Sequence, residues 1–223
     1  RREEMEDELL DMLVDMQKCS NFGVCDQAVY DPQGGHVPRG FSGATGSLDE
    51  VYLVMVFAEP GFPLPEEKFS GNPERDLEVL LDPKYLRSRT NPFHANIRTF
   101  LDGVFPQFCG DFDRQLNHVW LTQSRLCSIS EELGTIKRSA RLMCSRKHLV
   151  EQVKLFPNAI VLLAGGKARE AAGEVEKISQ NVAECGAFAP PGCNQKNVRK
   201  SHQQATIKCR EYIVRMIAER SKP

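Results

Sequence analysis

Val51-Tyr52-Leu53-Val54-Met55-Val56-Phe57-Ala58-Glu59-Pro60-Gly61 decides the fold. Its first seven residues are apolar without alternation and rich in β-branched and aromatic side chains. That pattern suits a strand covered on both faces rather than one with a wet side. Pro60-Gly61 then ends it. Working outward, His118-Val119-Trp120-Leu121-Thr122 reads as a second strand and Ala159-Ile160-Val161-Leu162-Leu163-Ala164 as a third buried one. Gly165-Gly166 marks the turn into a helix over about 167–178. Gly186-Ala187-Phe188-Ala189 reads as a weaker fourth strand. Helices are predicted over 3–18, with Met5, Leu9, Met12, Leu13 and Met16 on one face, and over 74–81, 93–104 and 142–156, the last stopped by Pro157. A closing helix runs over 198–220 and turns Ala205, Cys209, Tyr212, Ile213, Met216 and Ile217 inward. Residues 26–49 and 60–73, rich in Gly and Pro, read as irregular.

Strands alternating with helices predict an α/β domain: a central four-stranded parallel sheet flanked by helices on both faces. We read residues 1–223 as one such domain, with an N-terminal helix over 1–18, a loop region over 19–50 and an α/β core over 51–223. No internal repeat or low-complexity segment interrupts it. Ligands of such sheets bind beyond the carboxyl ends of the strands. Here those ends carry Ala58-Glu59-Pro60-Gly61-Phe62, Gln123-Ser124, Gly165-Gly166 and Ala189-Pro190-Pro191-Gly192.

The 223 residues are 41% hydrophobic and 26% charged, enough for one sizeable core. No apolar run approaches the roughly 20 residues of a membrane helix, and no secretory signal opens the chain. The absence of an initial Met fits a trimmed chain or a domain excerpt. A cytoplasmic protein without membrane association is expected. The net charge of −1 excludes nothing about partners, but its distribution is uneven. Glu3, Glu4, Glu6, Asp7, Glu8, Asp11 and Asp15 make the start acidic. Lys196, Arg199, Lys200, Lys208, Arg210, Arg215, Arg220 and Lys222 make the end basic, and Lys137, Arg138, Arg141, Arg146 and Lys147 form a second basic stretch. Such clusters form either a phosphate-binding face or solvated helix surfaces. No Gly-rich phosphate loop of the Walker or dinucleotide type occurs.

A carboxylate at a strand end, followed by Pro-Gly, can be held at the mouth of a cleft to activate water or steady a developing cation. Glu59 is placed so; an exposed turn Glu is the plainer alternative. Val54 to Gly61 resembles the first motif of the uracil-DNA glycosylase superfamily, which reads Gly-Glu-Ala-Pro-Gly in its iron–sulfur members and Gly-Gln-Asp-Pro-Tyr in the classical ones. Pro60 matches both, and Phe57 replaces the usual Gly. Val119-Trp120-Leu121-Thr122-Gln123-Ser124-Arg125-Leu126-Cys127 is similar to the iron–sulfur members' Val-Tyr-Ile-Thr-Asn-Val-Val-Lys-Cys. Cys144, Leu149, Gln152, Pro157, Ile160, Val161, Leu163, Gly165 and Ala168 continue that pattern. Phe93-His94-Ala95-Asn96-Ile97 resembles a helix start of the classical enzymes, and Val37-Pro38-Arg39-Gly40 the segment before the first strand. The likeness spans roughly residues 19–200, most of the chain.

The resemblance implies a glycosylase of DNA base-excision repair that flips uracil out of DNA, hydrolyses its N-glycosidic bond and leaves an abasic site. Glu59 inherits the water-activating role. Phe62 or Phe93 stacks on the base, beside Ala58, and Gln123 takes the place of the Asn that reads the uracil edge. The family's His-Pro-Ser motif falls on Ala189-Pro190-Pro191-Gly192-Cys193-Asn194, which has no His. His202 or Asn194 is the replacement donor, although a His opening a helix is more often an ordinary packing residue. Lys196, Arg199 and Lys200 follow where the family inserts into DNA and are expected, with Asn194, to contact it. The missing His and the Gln in place of Asn leave open a DNA- or abasic-site-binding module with little turnover, and a pocket opened at Gln123 leaves open a glycosylase for another deaminated base such as hypoxanthine or xanthine.

Eight cysteines stand at 19, 25, 109, 127, 144, 185, 193 and 209. By analogy with the iron–sulfur members, Cys19, Cys25, Cys127 and Cys144 are expected to hold a structural [4Fe–4S] cluster that takes no part in bond cleavage. Zinc or buried free thiols are the alternatives. The partner expected is DNA carrying a damaged base, bound by a monomer, nucleoid-associated if the protein is bacterial.

Overall fold

The computed structural model describes residues 7–88, 91–131 and 134–220. In chain order its strands are β1 (Ser42–Gly43), β2 (Leu53–Phe57), β3 (Val119–Gln123), β4 (Ile160–Ala164) and β5 (Val182–Cys185). They form one sheet in the order β1-β3-β2-β4-β5. Pairing is parallel for β3-β2, β2-β4 and β4-β5, and antiparallel for β1-β3. The chain is therefore an α/β protein with a five-stranded, mostly parallel sheet flanked by helices.

Two expectations about the sheet need correction. The sheet has five strands, not four, because Ser42 and Gly43 pair with Leu121 and Trp120 inside the segment read as a loop. The last parallel strand is Val182–Cys185, not 186–189. Its burial alternates because it lies at an open edge, whereas Phe188 is buried in the turn that follows.

The strand pattern has the expected consequence. Along β2, Leu53, Met55 and Phe57 join one core layer and Val54 and Val56 the other. One layer is completed by helix α1 (Asp7–Gln17) through Leu9, Leu13 and Met16. Residues 3–6 of the expected first helix, Met5 included, lie outside the described residues, as does Lys222. The same layer receives a helix running from Arg138 to Lys154, whose middle turn, Ser145–Leu149, is widened to the π form. The other layer is completed by Pro92–Val104 and by Val198–Arg220, which pack on each other where Gly103 meets Thr206. In the C-terminal helix Ala205, Cys209, Tyr212 and Ile213 face inward as expected, but Ile217 is 39% exposed because the helix outruns the sheet. The helix expected over 167–178 is broken into two short pieces, Gly166–Arg169 and Ala172–Val175. Among the described residues no helix is long and apolar enough to cross a membrane.

Candidate active site and cysteine cavity

After β2 the chain builds β3 on one side of it and then returns to place β4 on the other. The point where the strand order reverses, beyond the carboxyl ends of β2 and β4, is where ligands of open parallel sheets bind. Glu59 lies two residues past β2, and Lys167 opens the short helix after β4. Lys167 Nζ donates to Glu59 Oε1 at this end of the sheet. The Glu59 side chain is only 11% exposed against 52% for Lys167. Glu59 Oε2 is buried without a hydrogen-bond partner.

The backbone under Glu59 is held on both sides. The Ala58 carbonyl accepts from Ser124 Oγ at 2.7 Å and from Arg125 N–H at 3.1 Å, so the β2-β3 pairing continues past the strand ends. Beyond it, the buried Arg39 guanidinium donates to the Gly61 carbonyl and pairs with Glu67. Glu67 in turn accepts from the Leu64 N–H at 2.8 Å. The irregular Pro-rich loop is thereby clamped.

Gln123 closes β3 in register with Phe57. Its Nε2 donates to the Gly40 carbonyl at 3.3 Å, while its Oε1 is buried and unpartnered. Two orphan acceptor oxygens, on Glu59 and Gln123, thus stand at the ends of neighbouring strands. Gly40 makes the Gln123 position possible. Its φ is +86°, and a Cβ there would come within 2.8 Å of Gln123 Cγ and Nε2. Gly40→Ala is expected to lose about 1–2 kcal/mol of stability from the left-handed backbone alone. A shifted urea midpoint with an unchanged slope checks it, and an unchanged midpoint overturns it.

Phe93, in the first turn of the helix capped by Asn91, meets Phe57 edge-on at 5.0 Å, and Phe57 meets Phe188 at 5.8 Å. Phe93 therefore belongs to an aromatic wall at the β2 end. Phe62 stands at the surface, 41% exposed, with its ring edge against His36. His202 stacks on Phe188 at 4.3 Å, and its Nε2 donates to the Gly186 carbonyl at 3.0 Å. Burial pulls its pKa below the usual histidine value. That geometry braces the turn after β5.

Asn194, Lys196, Arg199 and Lys200 are all exposed, around the turn Gly192–Asn194 and the start of the last helix. The segment leading to them backs onto the exit of β4, where a Cβ on Gly165 would be 3.1 Å from that of Ala187. The basic cluster thus grows out of the same end of the sheet as Glu59 and Lys167. The second basic stretch is largely committed elsewhere. Arg141 is buried and bidentate to Glu170 at 2.7 and 3.0 Å, and Arg146 pairs with Glu174 at 2.8 Å. Neither is free to form the phosphate face weighed above. Lys167 escaped the sequence reading. Its one signal was a basic residue directly after a strand-ending Gly165-Gly166.

Cys19, Cys25, Cys127 and Cys144 line one opening of about 360 Å³ of non-atom space, part of it reaching solvent. They arrive from the end of α1, the loop after it, the exit of β3 and the helix beginning at Arg138. Leu126 N–H donates to Cys144 Sγ at 3.4 Å, and His148 Nε2 lies 3.2 Å from Cys19 Sγ. Burial pushes the Cys144 thiol up to about 12 and raises that of Cys127 as well. Among the described residues no three His, Cys, Asp or Glu side chains gather as ligands of a single metal ion. Four thiols around one opening are the donor set that either zinc or an iron–sulfur cluster takes. Cys185 and Cys209 are buried in the core and lie outside this group.

No protein-family model matches the chain, and no curated protein matches it.

Proposed function

We propose that this chain is a DNA glycosylase of the uracil-DNA glycosylase kind. The observation that carries the reading is the pair of buried, unpartnered oxygens, Glu59 Oε2 and Gln123 Oε1, at the carboxyl ends of β2 and β3. DNA is held through Asn194, Lys196, Arg199 and Lys200, and the target nucleotide swings out of the stack, which costs least when it is mispaired or single-stranded. The base lies against Phe93. The Gln123 carbonyl oxygen accepts from the N3–H of uracil. Glu59 Oε2 takes a proton from water as the water oxygen bonds to C1′ of the deoxyribose and the bond from C1′ to the base nitrogen breaks. The electron pair leaves with the base as the uracil anion; through solvent, Glu59 gives up its proton and the anion gains one, so the products are free uracil and an abasic site and the carboxylate is restored. The four clustered thiols would hold a [4Fe–4S] group, which ties the N-terminal segment to the exit of β3 and supplies no step of this reaction.

The test is single-turnover excision on a labelled single-stranded oligonucleotide with one uracil, using protein made in a host without uracil glycosylase. Alkali-labile breaks at the uracil support the reading. Their absence, with breaks at hypoxanthine or xanthine in parallel oligonucleotides, would transfer it to another deaminated base. The ion pair between Glu59 and Lys167 favours a second reading, a module that binds DNA or abasic sites with little turnover. Tight abasic-site binding with no excision of any base would select that one.

A further inference from the structure

Arg125 is a large cation with 0% exposure, lining the same opening as the four cysteines. Its Nη2 donates to the Asp26 carbonyl at 2.6 Å, which carries no charge, and its Nε and Nη1 are buried without any partner. A buried guanidinium left this way costs several kcal/mol unless an anion faces it. We propose that Arg125 is the counter-charge of an anionic iron–sulfur centre held by Cys19, Cys25, Cys127 and Cys144. The proposal rests on the reading of those cysteines as cluster ligands. Four thiolates outweigh the positive charge of a [4Fe–4S] core, so the centre is a net anion. Adding one electron from an electrode makes it more negative still. A guanidinium donating N–H groups to its sulfurs favours the reduced form over the oxidised one and raises the reduction potential.

The experiment compares the full-length wild type with Arg125→Met and Arg125→Lys after anaerobic loading with iron and sulfide. Iron and acid-labile sulfide content are measured, and the midpoint potential is read optically against an electrode. Arg125→Met should load but shift its reduction equilibrium at least tenfold toward the oxidised form, about 59 mV for one electron. Arg125→Lys, which keeps the charge, should fall between it and the wild type. Before loading, methionine removes an uncompensated buried charge, so the urea midpoint of unloaded Arg125→Met should exceed that of unloaded wild type. Loaded proteins with equal potentials would overturn the role of Arg125 while leaving the cluster standing. A wild type that takes up neither iron nor sulfide would overturn the cluster reading and the counter-charge with it.

Discussion

Glu59→Ala is expected to slow uracil excision by about a hundredfold or more, within the range that a positioned acid–base group contributes. The loss should appear in the single-turnover rate rather than in DNA affinity, because the basic residues around Asn194 to Lys200 are untouched. Glu59→Gln should lose nearly as much, since the amide keeps the shape but cannot take the proton. Folding should hardly change. The partner left behind, Lys167, is half exposed and regains water, and such pairs contribute little to stability. Wild-type excision that survives Glu59→Ala undiminished would remove Glu59 from the mechanism. Lys167→Met separates two roles for the ion pair. A faster rate would mean that the lysine restrains the carboxylate, and a slower one that it orients it.

Trp120→Ala should cost about 3–5 kcal/mol, the usual range for emptying a large aromatic site. Trp120 is wholly buried, stacked against Phe41 at 6.0 Å and tilted on Phe156 at 5.8 Å. Its Nε1 donates to Gln152 Oε1 at 2.9 Å, which also accepts from Thr122 Oγ1 at 2.7 Å. For a chain of this size the thermal midpoint should fall by about 10 °C. Trp120→Phe should cost far less, because the ring contacts largely survive and Gln152 Oε1 keeps its bond to Thr122. Equal losses in the two variants would mean that the hydrogen bond, rather than the packing, carries the energy.

The central strands were legible because burial on both faces writes itself as an unbroken apolar run, and β2, β3 and β4 do just that. Ser42–Gly43 could not be read so. Two small residues carry no strand preference, and they pair only because Gly43, with φ +111°, lets the backbone meet Val119, whose carbonyl would lie 2.0 Å from a Cβ. The β5 register slipped for the opposite reason. Phe188 is apolar and buried, yet it serves an aromatic cluster with Phe57, Phe100 and His202 rather than a ladder. Among the residues named from the resemblance, two sets come together in space. Glu59, Gln123 and Phe93 lie at neighbouring strand ends, and the four cysteines converge from segments more than a hundred residues apart. The Glu59–Lys167 pair was invisible because no local pattern says which cation a strand-end carboxylate will meet across a sheet. Arg125 was equally silent. A charged residue after a strand reads as solvent-exposed until the fold closes over it.

The clamp of Arg39 on Gly61 and Glu67 bears on the timing of binding. The loop that carries Pro60 to Pro65 is tied down by these contacts, so a ligand meeting it does not have to freeze it. The conformational entropy of that segment is lost during folding, not during the encounter. Association should therefore depend on how often the nucleotide leaves its stack and little on loop closure, giving an on-rate that varies with the looseness of the base pair.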